Sequence, residues 1–213
     1  MHSSKLPPPL PIGEDFDSTL DSFYEVFKNG FMNKQARPKL FGKFIYVNCN
    51  NWINYKSEAF WHLVAFDEGE SDSFNILPCN NDIAGQKCPD NCINKVFSIE
   101  LSDKRRDICF YRGARLNWIN EVLELANKRD RNIQLWRKKE YNKRSKQVDE
   151  KTYIRFKHET ADYLIVLAEK QDKHGKLINY HFVTAFPIFY LNKKRTYDED
   201  YANFNVGETV GEK

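Results

Sequence analysis

The hydrophobic pattern of the C-terminal half predicts one helix followed by an antiparallel sheet. Apolar residues recur at helical spacing between about residues 112 and 128. The segments after this helix are rich in β-branched and aromatic residues, which predicts four strands, at residues 133–138, 152–158, 162–169 and 178–188. The polar stretch 139–150 is predicted to be a loop. Short successive connections favour a meander, one face of which would cover the apolar side of the helix.

The N-terminal half has a less regular pattern. Apolar residues from Leu20 to Phe27 are spaced as on one face of a helix. Residues 41–47 and 60–66 are rich in aromatic and β-branched side chains, and each predicts a strand. Residues 68–103 are irregular and polar, which indicates an insertion or a small subdomain.

Together these elements predict an α+β chain with a four-stranded antiparallel sheet. Its expected parts are a Pro-rich extended arm at 1–15, an N-terminal α/β half at 16–107, a helix-plus-sheet core at 108–204 and a tail at 205–213. A short closing helix is expected at 197–204.

Composition excludes several classes of protein. Aromatic residues make up 15% of the chain and charges nearly balance, so the chain can build a core and is not of the disordered type. No apolar run is long enough to span a bilayer, and the Pro-rich start does not resemble a secretory signal, so a cytoplasmic location without membrane association is expected. The sequence contains no glycine-rich phosphate loop, no dinucleotide-binding fingerprint, no zinc-protease helix motif and no serine-nucleophile elbow.

The cysteines suggest a structural metal. Their number, five, is odd, so thiols or metal ligands are favoured over a disulfide framework. Cys79, Cys88 and Cys92 lie in turn-rich sequence with a spacing that a structural zinc site allows. The fourth ligand stays open between Cys49, Cys109 and a histidine, and the alternative is three thiols without metal.

Positive charge is concentrated in one part of the chain. Residues 128–157 hold twelve lysines and arginines against four acidic residues, a net charge of +8, whereas the whole chain has only +3. Such a stretch predicts a surface for a polyanion, with Arg137, Lys138 and Lys139 at its centre. The alternative is an ordinary solvated hairpin.

Arginines and an aromatic residue supply candidate RNA contacts. Arg112 and Arg115 are expected to open the long helix, where backbone N–H groups and two guanidinium groups would clamp a phosphate. The alternative is that both arginines pair with carboxylates on neighbouring elements. Strand alternation places Tyr153, Arg155 and Lys157 on one face, a combination that suits base stacking and phosphate contact.

Two further residues are candidates for the chemistry itself. His62, in the predicted strand 60–66, is the best-placed buried imidazole and could act as an acid or base, although a structural role in the core is the alternative. Thr184 could donate a hydrogen bond to a phosphate or merely to a neighbouring backbone group. Simple alternation places Thr184 on the face opposite His181.

The C-terminal half resembles a known superfamily. The residues concerned are the helix segment RGARLNWI, then Leu135-Trp136, then DYLIVL from Asp162, and then FVTAFPI from Phe182. This set resembles the phage- and mobile-element-associated ribonuclease-like domains of the barnase–EndoU–colicin–RelE superfamily, over about residues 108–204.

The resemblance implies a helix-plus-sheet fold and metal-independent RNA cleavage, in which the ribose 2′-OH attacks the adjacent phosphorus and leaves a cyclic phosphate. Arg115 and Thr184 match it best, while His62 and Arg155 are added as catalytic candidates from their position and chemistry. The expected function is therefore a toxin or phage-defence endoribonuclease, with RNA and a cognate inhibitor as partners. The alternatives are a non-catalytic RNA- or protein-binding module with structural zinc, and a mobile-element protein that binds an antitoxin through its aromatic residues.

Overall fold

The computed structural model of the chain describes residues 5–80, 82–87, 98–101, 104–142 and 146–211. It divides into two compact units. The N-terminal unit comprises Met1–Pro38 and Val47–Glu121, and the sheet unit comprises Lys39–Tyr46 and Val122–Lys213. The predicted boundary lies between residues 107 and 108. The observed boundary lies after Glu121, inside a helix.

The secondary structure mixes short N-terminal elements with long C-terminal strands. The helices are α1 (Phe16–Phe27), α2 (Glu58–Val64), α3 (Ile83–Lys87), α4 (Phe110–Gly113), α5 (Trp118–Asn127) and α6 (Leu191–Gly211). The strands are β1 (Lys39–Leu40), β2 (Lys43–Tyr46), β3 (Trp52–Ile53), β4 (Lys56–Ser57), β5 (Ala65–Asp67), β6 (Ser98–Leu101), β7 (Lys104–Ile108), β8 (Ile133–Asn142), β9 (Gln147–His158), β10 (Ala161–Gln171) and β11 (Leu177–Pro187). Within the described ranges, no helix is long and apolar enough to cross a membrane.

Aromatic packing forms the core of the N-terminal unit. Helix α1 begins after Asp15, whose carboxylate accepts a hydrogen bond from the backbone N–H of Ser18. The predicted apolar face of α1 is confirmed, since Phe23 and Phe27 are fully buried and the ring of Phe27 packs edge-on against that of Phe60.

The predicted strand 60–66 is wrong. Residues Glu58–Val64 form α2, and only Ala65–Asp67 form a strand, β5. A short apolar run fits a buried helix as well as a buried strand, and here apolar side chains at i, i+1, i+3 and i+4 are buried while His62 is exposed.

The described part of the Pro-rich arm, residues 5–15, has no helix or strand, and it is tied to the rest of its unit. Leu6 is buried, and the carbonyl oxygen of Pro7 accepts a hydrogen bond of 2.9 Å from the indole N–H of Trp118. The carbonyl oxygen of Pro8 accepts another from the side-chain amide of Asn117, also at 2.9 Å. Proline lacks an N–H group but keeps its carbonyl acceptor, so Pro7 and Pro8 bind through carbonyl oxygens, whereas Leu10 donates its N–H to the carbonyl oxygen of Ala114 at 2.7 Å.

The segment predicted to be an irregular insertion, residues 68–103, contributes a strand to a regular sheet. Strand β7 lies between β5 and β6 and is antiparallel to both. The described part of this segment therefore belongs to the N-terminal unit.

The sheet unit has the predicted α+β character, but its sheet is larger than expected. The strand order is β1-β2-β11-β10-β9-β8, and β8 to β11 pair as an antiparallel meander. Strand β2 joins parallel to β11, so the sheet has six strands and is mixed. A distant strand can join the edge of a meander without leaving a signal in the local pattern of either segment.

Most of the polar stretch 139–150 is strand and not the predicted loop. Strands β8 and β9 extend into it from either side and pair from Ile133↔Phe156 as far as Asn142↔Gln147, and residues 143–145 lie outside the described part of the chain. The stretch escapes the hydrophobic pattern because its strands are held by polar side chains, such as the 2.8 Å ion pair between Lys151 and Glu140.

The last helix is also longer than predicted. Helix α6 runs from Leu191 to Gly211, beyond the expected helix 197–204 and into the expected tail. Tyr197, Tyr201 and Phe204, at spacings of four and three, pack against a sheet cluster that includes Trp136 and Tyr153. The helix therefore covers one face of the sheet.

Candidate nucleic-acid interface

The four predicted catalytic residues are divided between the two units. His62 and Arg115 belong to the N-terminal unit, and Arg155 and Thr184 belong to the sheet unit. Each unit therefore has to be considered by itself.

Arg112 and Arg115 do not open one long helix. That helix is divided into α4 and α5, Arg112 lies in α4, and Arg115 lies in the turn between them. The guanidinium group of Arg112 donates to the carbonyl oxygens of Ala65 and His62 at 2.7 and 2.8 Å, and the side chain is buried. Arg112 thus joins α2, β5 and α4.

Arg115 is equally occupied. One guanidinium nitrogen lies 2.7 Å from a carboxylate oxygen of Asp82, and another donates to the carbonyl oxygen of Tyr111 at 3.1 Å. The guanidinium carbon lies 3.3 Å from the ring centroid of Tyr111 and 4.8 Å from that of Trp118. Arg115 thus pairs with a carboxylate, as the alternative interpretation anticipated, whereas Arg112 binds backbone carbonyl oxygens instead.

His62 is not the buried imidazole that the sequence predicts. Its side chain is 47% exposed on the polar side of α2, with Nε2 at 3.6 Å from a carboxylate oxygen of Glu58 one turn earlier. The error follows from the secondary structure, because a helix places position 62 on a different side from its apolar neighbours.

The sheet unit brings several candidates together, as strand alternation predicts. Tyr153, Arg155 and Lys157 share one face of β9. In register across the sheet, Tyr153 lies opposite Val166, and Val166 lies opposite Thr184. Thr184 is therefore in the same cross-strand row as Tyr153.

A β-bulge changes what faces Thr184. The register of β10 with β11 shifts after Val166↔Thr184, so the next pairs are Leu167↔Phe182 and Ala168↔His181. Because Val166 and Ala168 share a face, so do Thr184 and His181, with Val183 as the extra residue. The predicted placement of His181 and Thr184 on opposite faces is wrong, since simple alternation cannot register an inserted residue.

His181 is partly buried where β11 meets β2. Its ring packs at a centroid distance of 5.0 Å from that of Tyr46 on β2. Burial, with a smaller effect of the positive charge of Lys170, lowers the pKa of His181 below its ordinary value of 6.5. The imidazole is therefore mainly neutral at pH 7. His181 is not among the residues that the sequence pattern singles out.

We call this side of the sheet the basic face. Its named members are Trp136, Lys138, Tyr153, Arg155, Lys157, His181 and Thr184. It combines cations, aromatic rings, an imidazole and a hydroxyl. In RNA recognition, cations contact phosphates and aromatic rings stack on bases.

Carboxylates hold the cations of the basic face. Arg155 is fully buried and binds Asp162 through two hydrogen bonds of 2.6 and 2.7 Å, and it also donates to Asp198 of α6 at 2.8 Å. Lys157 binds the same Asp198 at 2.6 Å, and Lys138 binds Asp200 at 2.8 Å. Two acidic residues of one helix therefore bind Arg155, Lys157 and Lys138, while Lys151 on the same face binds Glu140.

The contacts of Asp198 with Lys157 and Arg155 lower its pKa by more than burial raises it. Partial burial by itself would raise its pKa, but the hydrogen bond from Lys157 and the charge of Arg155 lower the pKa of Asp198 below the ordinary 3.8. Asp198 therefore carries a full negative charge on the basic face at neutral pH.

The other predicted cations divide between the two faces. Arg137 and Lys139 alternate with Lys138, so they lie on the opposite face of β8, where Lys139 is exposed and in register with Glu150. Arg137 makes a bidentate ion pair with the buried Glu169. The central trio of the basic stretch is thus not a single surface.

The Glu169 pair predicts a pH-dependent contribution to stability. Burial alone would raise the pKa of Glu169, but hydrogen bonds from Arg137 and Thr152 lower it below the ordinary 4.5. A lowered folded-state pKa stabilises the fold above the unfolded-state pKa, and this stabilisation is lost as the pH falls through the folded-state value.

We expect Glu169→Gln to reduce the free energy of unfolding by about 1.5–3 kcal/mol at pH 7, and less at pH 3, because below the ordinary pKa of 4.5 the unfolded chain takes up a proton at this carboxylate and the advantage of the folded carboxylate declines. Urea unfolding at both pH values measures the difference. Glu150→Gln is the matched control, since Glu150 lies 3.5 Å from the same arginine but is more exposed. An equal loss at both pH values would contradict this assignment.

The zinc prediction falls mainly outside the described residues, because they do not include Cys88 and Cys92. Cys79 is buried. Among the residues that are described, no three His, Cys, Asp or Glu side chains are grouped to hold a metal ion. The structural zinc site stays a prediction.

Comparison with known proteins adds no further assignment. No protein-family model, curated protein or solved structure matches the chain.

Proposed function

We propose that this protein is a metal-independent endoribonuclease of the toxin or phage-defence type, and that its substrate binds on the basic face. The observation that carries the proposal is the bulge at Val183, which brings His181 to the same face as Thr184, Tyr153 and Arg155. Bulges frequently redirect a side chain next to an active site. The ribonuclease-like resemblance of residues 108–204 supports the same class of reaction.

The chemistry requires little of the protein beyond positioning and proton transfer. Neutral His181 accepts the proton of a ribose 2′-OH as that oxygen bonds to the adjacent phosphorus. The bond from phosphorus to the 5′ oxygen breaks, and the imidazolium returns its proton to that oxygen. The products are a 2′,3′-cyclic phosphate and a 5′-hydroxyl.

Two other residues stabilise the phosphate in this proposal. Arg155 supplies positive charge, and the hydroxyl of Thr184 donates a hydrogen bond to a non-bridging oxygen, where negative charge develops in the transition state. The stacked rings of Trp136 and Tyr153, with centroids 5.1 Å apart and an interplanar angle of 14°, are buried beneath α6 and would offer an aromatic surface to a base that took the place of the helix. Arg115 and His62 have no part in this mechanism, since they belong to the other unit.

The test is incubation of the purified protein with RNA in the presence of EDTA, followed by analysis of the product ends. Cyclic phosphate at the 3′ ends and hydroxyl at the 5′ ends are expected. Intact RNA, combined with a gel shift that weakens steeply with salt, would refute the enzyme and favour the RNA-binding alternative.

A further inference from the structure

Helix α6 occupies the face on which RNA is proposed to bind. Arg155, Lys157 and Lys138 each bind a carboxylate of this helix, either Asp198 or Asp200. A carboxylate and a phosphate present the same kind of anionic oxygen to a guanidinium or an ammonium group. The two aspartates thus bind the cations that the substrate's phosphates would need.

We propose that α6 is an autoinhibitory helix, that Asp198 and Asp200 take the place of RNA phosphates, and that single-stranded RNA binds by displacing it. This inference rests on the proposed function and adds a regulation of the same site. Displacement exchanges ion pairs of one kind for ion pairs of another, so a ligand that supplies the replacement pairs shifts the equilibrium toward the uncovered state.

Two of the ion pairs between α6 and the sheet are of the kind that is readily exchanged, whereas in the pair of Arg155 with Asp198 the arginine is buried. In the pair of Lys157 with Asp198, both side chains are 40% exposed. The pair of Lys138 with Asp200 is also partly exposed. Exposed ion pairs contribute little to stability because water solvates both partners well.

The pair that must outlast the displacement is of a different kind. Arg155 and Asp162 lie on the neighbouring strands β9 and β10, and their bidentate contact does not involve α6. Arg155 would therefore keep its position when α6 moves away, and the guanidinium nitrogen that now binds Asp198 would become available to a phosphate.

The apolar contact of α6 is narrow. Tyr197, Tyr201 and Phe204 pack on the sheet and are only partly buried, while most of the remaining described side chains of the helix are exposed. Only residues 188–190 separate the end of β11 from the start of α6. Moving the helix away would uncover the stacked Trp136 and Tyr153 rings, and RNA bases can replace the aromatic contacts that are lost.

The first test compares two double variants of the full chain. Asp198→Asn with Asp200→Asn removes both phosphate substitutes but keeps the shape of the side chains. Glu159→Gln with Glu199→Gln removes the same net charge from exposed positions, one of them between the two aspartates. A single-stranded 2′-O-methyl RNA oligonucleotide serves as the probe, because it lacks the 2′-OH and cannot be cleaved.

We expect the aspartate variant to bind the oligonucleotide about tenfold more tightly than the wild type, because a larger fraction of molecules has an uncovered face. The glutamate variant should stay within about twofold of the wild type, since exposed charges at these positions are well screened. Equal affinities of the two variants would overturn the autoinhibitory role and leave the proposed function intact. No binding by any of the three proteins would overturn the proposed function together with this inference.

Hydrogen exchange provides a readout that a charge effect alone would not change. Saturating the wild-type protein with the oligonucleotide should increase amide exchange in residues 191–206, because displaced helix amides lose protection. A ligand that binds elsewhere would leave this segment unchanged or more protected, and either result would refute the displacement.

Discussion

Replacing His181 by alanine is expected to slow RNA cleavage by about a hundredfold or more while RNA affinity changes little, because the imidazole is proposed to move a proton and not to hold the substrate. Single-turnover cleavage of a defined RNA, together with binding of the non-cleavable oligonucleotide, separates the two effects. His174→Ala is the matched control, since His174 lies exposed in the turn between β10 and β11.

The same residue predicts the pH dependence of the reaction. A general base acts when it is neutral, and burial lowers the pKa of His181 below 6.5. The rate should therefore rise with pH through the acidic range and level off by about pH 7.

A His181→Ala variant that cleaves as fast as the His174→Ala control would refute the catalytic role of His181.

The second large effect concerns stability. We expect Asp162→Asn to reduce the free energy of unfolding by roughly 3 kcal/mol, because it breaks a bidentate ion pair and leaves the fully buried Arg155 poorly compensated. Asp198→Asn should cost about 1 kcal/mol or less, since the Asp198 side chain is 40% exposed and water can replace it.

Urea unfolding of the two variants, followed by circular dichroism, measures this difference. Both variants remove one negative charge from the surroundings of the same arginine, so each is a control for the other. Equal losses would mean that α6 holds Arg155 as firmly as the sheet does, which would contradict the exchange of partners on which the autoinhibitory proposal depends.

Local sequence pattern was sufficient for much of the sheet unit. Alternation and β-branched content located strands β8 to β11 and their order, and alternation correctly placed Tyr153, Arg155 and Lys157 on one face. Helix α1 was also predictable, because its buried residues repeat at the helical period. These features depend on neighbours within a few positions along the chain, which is the range over which a hydrophobic period can be read.

The hydrophobic period could not assign secondary structure to segments that lack a clear period. The aromatic run around Phe60 could bury its side chains in a core either as a helix or as a strand. The folded chain forms a helix there, in which Phe60 packs against Phe27 of α1. In the same way, the stretch 139–150 has strand pairing but no hydrophobic alternation, because polar cross-strand contacts hold it together.

The sequence by itself determined the α+β class, the meander and the presence of a basic stretch, since each follows from local composition and periodicity. Only the tertiary structure decided which side chains lie together on one face and which ion pairs they form. The bulge at Val183 depends on the register between two strands, and it moved His181 to the face of Thr184. The cations of the basic stretch found partners far along the chain, as Lys138 did in Asp200. Register and long-range ion pairing are properties of two segments together, so neither segment's own sequence contains them.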